Sequence, residues 1–490
     1  MIVRNEAHQL AECLRPVAEL FDEIIIVDTG STDHTLEIAG QFTSKVYRFP
    51  WCDDFSAARN ESLRHATGDW VFWLDADDRV SAENIAKLGK CFSQLGDQPQ
   101  TYLMNTACSS KFACEGVSLI THTRLFRRHP QLCWRGRVHE QLRPEAATLG
   151  HQPVWSDVRI DHTGYEDQGL QHRKLQRDLR LLRMDYATDP DDASTLIHLG
   201  LTHYHLGRFA PARTYLNRLL SLSTEPSDYL RQVFGVLASM SMREGRLSEA
   251  LATLDRAVAT FPNADDLLYA KAECLYELDR YDESADSLVR IESGSAQSPY
   301  CGGVPGDIRE QRAPRKLADI YRLQRAYSRA ESLLMQLLAK QPHDTLSWHT
   351  LGRVFLDSRQ RVKLMAVIEK LNDCPQGNVF AAMLKALWHL NALEFAAAGT
   401  AIEQLVELAP LMPMPRILRV EWLTQTSAPI TIRIQACRDL LRVQPGNNEA
   451  RQLLANWEAI AAPVVQLPAH EASTSVGLAA VLPATAAISG

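Results

Sequence analysis

Short apolar runs alternate with helix-period patterns over the first third of the chain, and helix-period patterns fill most of the rest. Glu23-Ile-Ile-Ile-Val-Asp28 is a β-rich run ended by Thr29-Gly30-Ser31. Ser31, Thr32 or Asp33 is placed to cap a helix running through Phe42. Val46 to Phe49 predicts a further strand, and Asp54 to Leu63 a helix. Trp70-Val-Phe-Trp-Leu74 follows a turn at Thr67-Gly68 and predicts a buried strand, central in an α/β sheet. This β-α-β-α-β order implies a largely parallel sheet. Beyond residue 95 the pattern is less regular, with β-like pieces at Thr101–Asn105, Ser118–Phe126 and Val154–Asp161.

From 166 to 184 the pattern is helical and basic. Arg173, Lys174, Arg177, Arg180 and Arg183 lie largely opposite Leu175, Leu179 and Leu182. A membrane-surface helix has this pattern too, but a solvated face on a connecting helix (166–189) is the expectation. From about 190 to 455 the chain repeats. Gly245 and Asp279 stand 34 residues apart, as do Ala250 and Ser284, and Gly207 with Ala212 makes the same pair one repeat earlier. Pro262, Pro342, Pro410 and Pro445 close helical segments, and Trp348-x-x-Leu351-Gly352-x-x-Phe355 has the large–small spacing of a helix hairpin. These marks resemble degenerate tetratricopeptide repeats, five to seven units stacked into an all-α solenoid. A Gly/Pro/Ser-rich stretch at 293–314 predicts a long loop. Residues 461–490 are Ala/Pro/Ser/Val-rich, nearly uncharged, and expected to be a disordered tail.

With 490 residues, two or three domains are expected. A hydrophobic share of 46% with 23% charged residues is that of a globular protein, and a net charge of −7 gives no reason to expect nucleic acid. Ten cysteines without a Cys-x-x-Cys pair argue against a zinc site and a disulfide framework, and fit a cytoplasmic protein. The N-terminus shows neither a signal peptide nor a spanning segment.

The candidate chemistry lies where the fourth strand runs into Asp75-Ala-Asp77-Asp78. Ligands of α/β sheets collect outside the carboxyl ends of strands, and hard carboxylates there suit Mg²⁺ or Mn²⁺ holding a diphosphate. An acidic surface turn is the plain alternative. A calcium loop fits poorly, because Val80 and Ala86 occupy its Gly and Glu positions. Glycine-rich phosphate loops are missing from the relevant turns, which counts against P-loop and dinucleotide-binding readings.

Four motifs occur in order: Met1-Ile-Val-Arg-Asn5-Glu6, Ile25-Ile-Val-Asp28-Thr-Gly-Ser-Thr-Asp33, Ala57-Ala-Arg59-Asn60 and Leu74-Asp-Ala-Asp-Asp78. Together they resemble family 2 inverting glycosyltransferases of the GT-A fold, over residues 1–165. The two-part architecture is similar to that of the sublancin-type peptide glycosyltransferases. The strand beginning at Met1 lacks the few residues that usually precede it in the family. The resemblance implies that Asp28 contacts the base or ribose of the nucleotide, although the family's second Asp is here Thr29. It also implies that Asp75 and Asp77 bind the metal, with Asp78 beside them. Asn5, Glu6, Asp33, Arg59, Asn60 and Asp75 are then expected at the donor. For Asp33 a helix cap, and for Arg59 an ion pair with Asp53 or Asp54, are the alternatives.

A second cluster comprises Arg124-Leu-Phe-Arg127-Arg128 and Trp134-Arg-Gly136-Arg137-Val-His139-Glu140. Inverting transfer needs a base near the acceptor proton. Glu140 is the first candidate and His139 the second; His139 or His162 is a candidate third metal ligand. Arg124 and Trp134 are candidate substrate contacts, with a core position as the alternative for Trp134. The expectation is an α/β GT-A-like nucleotide-sugar domain followed by a tetratricopeptide-like solenoid. It would move a sugar from a nucleoside-diphosphate donor, with Mn²⁺ or Mg²⁺, to a protein, peptide or glycan acceptor. The repeats would carry acceptor or partner. Two alternatives stand: a protein-binding scaffold with an inactive transferase domain, and a metal-dependent nucleotidyltransferase.

Overall fold

The computed structural model describes residues 1–108, 118–144, 146–163, 168–294, 304–305 and 307–461. The chain divides into two compact units, Met1–Ser358 and Arg359–Gly490. The division falls inside the helical part. The change from α/β to all-helical structure near residue 165 therefore lies within the first unit.

Three short parallel strands, β1 (Ile2–Val3), β2 (Ile26–Asp28) and β3 (Val46–Arg48), pair in the order β1-β2-β3. Helices α1 (Leu10–Leu14), α2 (Thr35–Ala39) and α3 (Phe55–His65) follow them in turn. Helix α2 is shorter than its pattern predicts and begins after His34, which makes no side-chain cap. Asp33 instead receives the Thr35 N–H at 3.0 Å and the Ala7 N–H at 3.2 Å, so it ties two loops together rather than serving α2 alone. Helix α3 is capped by Asp54, whose carboxylate accepts the Ala57 N–H at 2.9 Å.

The acidic strand departs from expectation. β4 (Trp70–Phe72) is not paired within the parallel sheet; it runs antiparallel to β7 (Ser118–Arg127). β5 (Asp78–Arg79) follows the acidic turn, and α4 (Ala82–Ser93) and β6 (Gln100–Cys108) come before β7. β8 (Cys133–Arg135) and β9 (Gln141–Arg143) form a hairpin, and β10 (Gln152–His162) lies between β6 and β5. The predicted pieces at 101–105, 118–126 and 154–161 thus become long strands of a second, mixed sheet. A core of Leu74, Leu88, Met104, Leu125, Val158 and Ile160 lies between this sheet and its neighbours. Each such side chain contributes about 1.5–3 kcal/mol on burial.

The basic helix α5 (Gln168–Thr188) is more docked than predicted. Leu179, Leu181 and Leu182 are buried with Val138 and Leu199. That contact brings Arg180 onto Asp53, with two bonds of 2.7 Å, and Arg177 over the Phe55 ring at 4.9 Å. Helix hairpins follow in the first unit: α6 (Ala193–His205) with α7 (Phe209–Leu222), α8 (Asp228–Arg243) with α9 (Leu247–Thr260), and α10 (Asp265–Glu277) with α11 (Tyr281–Ser293). A two-residue strand β11 (Val304–Pro305) pairs with β7, and then come α12 (Ala313–Leu323), α13 (Tyr327–Lys340) and α14 (Thr345–Asp357). Part of the predicted 293–314 loop is therefore structured; residues 295–303 and 306 lie outside the described residues. The second unit holds α15 (Arg361–Asn372), α16 (Gly377–Asn391), α17 (Phe395–Leu408), α18 (Pro413–Gln425), α19 (Ile430–Val443) and α20 (Asn448–Ala461). The predicted tail, from 462 on, lies outside the described residues.

The repeat marks have a physical cause. A left-handed residue closes the first helix of each hairpin: Gly207, Gly245, Asp279 and Arg325 in the first unit, Leu393 and Ser427 in the second. The next N–H returns five residues, as Arg208 to the His203 carbonyl and Glu394 to that of His389, both at 2.9 Å. This is a Schellman closure, which favours glycine but tolerates other residues where packing supports it. Gly200 is small for a second reason. A Cβ there would lie 2.4 Å from the Leu216 side chain, so α6 and α7 could not approach as they do.

No described helix is long and apolar enough to cross a membrane.

Candidate functional site

The loops after β1 and β2 are laced together at the carboxyl end of the parallel strands. The Asn5 N–H donates to Ser31 Oγ at 2.9 Å, the Thr32 N–H to Asn5 Oδ1 at 2.8 Å, and the Glu6 N–H to Thr35 Oγ1 at 2.8 Å. Asp28 is buried, and its carboxylate accepts the N–H groups of Gly30 and Ser31 at 3.1 Å. Asn5, Asp28 and Asp33 therefore shape this lip, their side chains already occupied by the backbone.

Glu6 lies within electrostatic reach of the acidic turn. Burial first, and then the Asp77 carboxylate, push its pKa up to about 7. Asp77 is also raised, by desolvation and by Asp75 and Asp78 against the pull of His162. Two carboxyl groups thus stand where negative charge is in excess, a setting that favours a bound cation.

The three aspartates of the turn are not equivalent. Asp75 closes the turn with its N–H on Asp78 Oδ2 at 2.9 Å, and its own carboxylate accepts from Arg59 Nη2 at 2.9 Å. Burial opposes its ionisation, but Arg59, Arg124 and His162 outweigh burial and hold its pKa near 2. Asp78 is fully buried; its Oδ2 accepts from Arg124 Nη1 at 2.7 Å and its Oδ1 meets His162 Nδ1 at 3.0 Å. The strand register explains this meeting, since His162 of β10 lies directly opposite Asp78 of β5.

The remaining imidazole nitrogen, Nε2, lies 3.4 Å from Asp77 Oδ2. Desolvation opposes a charge on His162, yet Asp78 and Asp77 raise its pKa. Asp77, Asp78 and His162 form a group able to hold a metal ion, with their ligand atoms within 4.8 Å of one another. The chemistry of the donors divides this group. Asp78 is already committed to Arg124 and the Asp75 N–H, and orients the imidazole, whereas Asp77 and His162 Nε2 face each other across 3.4 Å. A carboxylate behind a metal-facing histidine is a recurring arrangement. Asp75, expected in the metal set, is tied to Arg59.

Arg59 gathers the other groups. It is buried and ion-paired with both Asp75 and Glu140, which raise its pKa despite the desolvation that opposes its charge. Neither Asp53 nor Asp54, the alternatives expected from sequence, is its partner. Its guanidinium lies 4.4 Å from the Trp73 ring centre, and that of Arg124 lies 3.9 Å from the same ring. Trp73 sits against both cations. Sequence reading missed it because an apolar strand gives no sign of what its side chains meet.

Arg124 and Trp134 do not reach an open surface. Arg124 is 1% exposed and serves Asp78 and Thr106 Oγ1. Trp134 packs on Trp73 and Phe126, and its backbone exchanges two hydrogen bonds with the Asn60 side chain, at 2.8 and 2.9 Å. Asn60 is thereby a strut between α3 and β8. His139 turns to the helical side. Its ring stacks on His198 with centres 4.1 Å apart and planes within 9°. The residue is exposed, yet crowding by protein, and Arg177 next, lowers its pKa to about 4.

The laced lip, the acidic turn and the buried Arg–carboxylate network lie together in one α/β domain. Residues 1–98 match the glycosyl transferase family 2 model, and residues 193–226 and 241–300 match tetratricopeptide repeat models. The chain carries a family 2 glycosyltransferase domain at its N-terminus, followed by tetratricopeptide repeats. It is 32% identical over 276 residues to a TPR repeat-containing protein of Synechococcus elongatus, covering 55% of this chain and 66% of that one. It is 25% identical over 284 residues to the SPbeta prophage-derived glycosyltransferase SunS of Bacillus subtilis, covering 56% of this chain and 65% of that one. The chain thus spans just under two thirds of these relatives. A tetratricopeptide repeat protein from Parabacteroides merdae superposes on 51% of this chain and 92% of its own, with a TM-score of 0.41 and 16% identity.

Proposed function

We propose that the protein is a metal-dependent glycosyltransferase that moves a sugar, with inversion, from a nucleoside-diphosphate donor to a protein, peptide or glycan acceptor. The observation that carries this reading is the pairing of Asp77 with a histidine whose other nitrogen is oriented by a buried aspartate. Asp77 and His162 Nε2 would hold Mn²⁺ or Mg²⁺, with Asp78 behind them. The metal, when bound, supplies positive charge against the diphosphate. The lip built by Asn5, Asp28, Ser31 and Asp33 positions the nucleoside, and Glu6 borders the diphosphate side.

Glu140 is the base. The acceptor attacks the anomeric carbon from the face opposite the diphosphate; the new bond forms as the bond to the leaving oxygen breaks, and the acceptor proton passes to the Glu140 carboxylate. Arg59 is ion-paired with both Glu140 and Asp75, which sets the base beside the acidic turn. His139 is the weaker candidate, because its ring lies against His198. The repeats, which match tetratricopeptide repeat models, offer a surface for acceptor or partner.

A panel of nucleotide sugars tests the reading. Hydrolysis or transfer that requires Mn²⁺ and stops with chelator supports it. Nucleoside diphosphate should also bind more tightly with the metal than without. No turnover and no metal-linked binding across the panel would leave a protein-binding scaffold with an inactive domain.

A further inference from the structure

The loop that carries Glu140 is held from the helical side. It spans residues 136–140, between β8 and β9. The Arg137 N–H donates to Asp185 Oδ2 of α5 at 2.8 Å, and its carbonyl accepts the Phe55 N–H at 2.9 Å. Val138 is buried among Leu179, Leu181 and Leu182 of α5 and Leu199 of α6. His139 adopts a left-handed backbone, φ 55°, and lays its ring on His198 of α6. His198 is fixed in turn through Nδ1 to the Ser194 carbonyl at 2.7 Å. Gln141, the first residue of β9, donates from Nε2 to the hydroxyl of Tyr229 on α8. Between His139 and Gln141, Glu140 points back to Arg59.

Positive φ is uncommon for a non-glycine residue, although histidine takes it more readily than most, and packing around His139 helps to hold the loop in this shape. Here its two flanking side chains are gripped by the first two repeat hairpins. We propose that these hairpins belong to the catalytic machinery, with His198 and Tyr229 as positioning residues that hold the Glu140 loop against Arg59. The repeats then set the rate of transfer as well as offering a surface to the acceptor. This inference rests on the proposed role of Glu140.

The test uses the full chain with donor and Mn²⁺. His198→Ala removes the stacking partner, and the loop should relax; a displacement near 1 Å is enough to lower kcat about 100-fold. The donor KM should stay within about twofold, because the metal-facing residues and the nucleotide lip lie on other loops. His198→Phe restores a flat ring and should recover most of kcat. Tyr229→Phe, which loses one hydroxyl and is mild toward folding, should lower kcat in the same sense. Amide hydrogen exchange of residues 137–141 should quicken in His198→Ala and return in His198→Phe.

Wild-type kcat in both His198→Ala and Tyr229→Phe would overturn the positioning role, and so would a rise in KM at constant kcat. Unchanged exchange in the loop would overturn it too. A wild-type chain that turns over no nucleotide sugar would instead overturn the transferase reading on which it rests.

Discussion

Arg124→Met separates a structural from a substrate-binding arginine. The Arg124–Asp78 pair is almost fully removed from water, with side-chain exposures of 1% and 0% and a 2.7 Å contact. With charge centres about 4 Å apart and an effective dielectric of about 20, the attraction is about 4 kcal/mol. Methionine keeps much of the stem volume but leaves Asp78 buried without its guanidinium partner, with His162 and the Asp75 N–H still on it. Breaking such a pair from one side costs about 3–5 kcal/mol. The same guanidinium also donates to Thr106 at 2.9 Å and lies on the Trp73 ring, a contact of about 2 kcal/mol when desolvated. The upper half of the range, about 4–5 kcal/mol, is therefore expected. Urea unfolding followed by tryptophan fluorescence suits the measurement, because Trp73 touches the altered side chain. The midpoint should fall. Arg124→Met combined with Asp78→Asn should recover part of the loss, since the stranded charge is gone. A wild-type midpoint together with weakened nucleoside-diphosphate binding would show that Arg124 faces ligand, and would refute the burial argument.

Asp77→Asn should abolish metal-dependent turnover with the fold intact, because it removes a charged ligand and keeps the shape; full activity would remove Asp77 from the metal site. Asp78→Asn should weaken Mn²⁺ binding by about 10–100-fold through loss of the group orienting His162, and calorimetry giving the wild-type affinity would refute that role. Acid should loosen the contact between His139 and His198. Desolvation lowers their pKa values to about 4 and about 3, from an ordinary 6.5. An unfolded chain binds protons below 6.5 that the folded chain refuses, so the stability is fully present above 6.5 and is lost as pH falls toward 4. Thermal unfolding of His139→Gln should show a shallower loss over that window, and an identical profile would contradict it.

The lip, the acidic turn and the repeats were legible in the sequence because each depends on residues close together in the chain. Thr29-Gly30-Ser31 announces the turn that Asp28 closes, and the run from Trp70 into Asp78 announces a strand ending in carboxylates. The repeat spacing is visible because each hairpin needs one left-handed residue at the same place. What escaped was partnership. The predicted pairing of the acidic strand failed because apolar content marks burial without saying which neighbour supplies the hydrogen bonds; here the long β7 takes β4 antiparallel.

Sequence alone determined the order of the elements from β2 to β4, the residue types at the strand end and the two-part architecture, since periodicity and turn chemistry act over a few residues. Only the tertiary structure decided which carboxylate does what. Asp78 loses its freedom to Arg124, 46 residues away, and to His162, 84 residues away, while Arg59 takes Glu140 from 81 residues away. Asp75, Asp77 and Asp78 share one short turn and one chemistry. Their roles diverge because a carboxylate's remaining capacity to bind a cation depends on the donors already on its oxygens, and the fold brings those donors from distant strands.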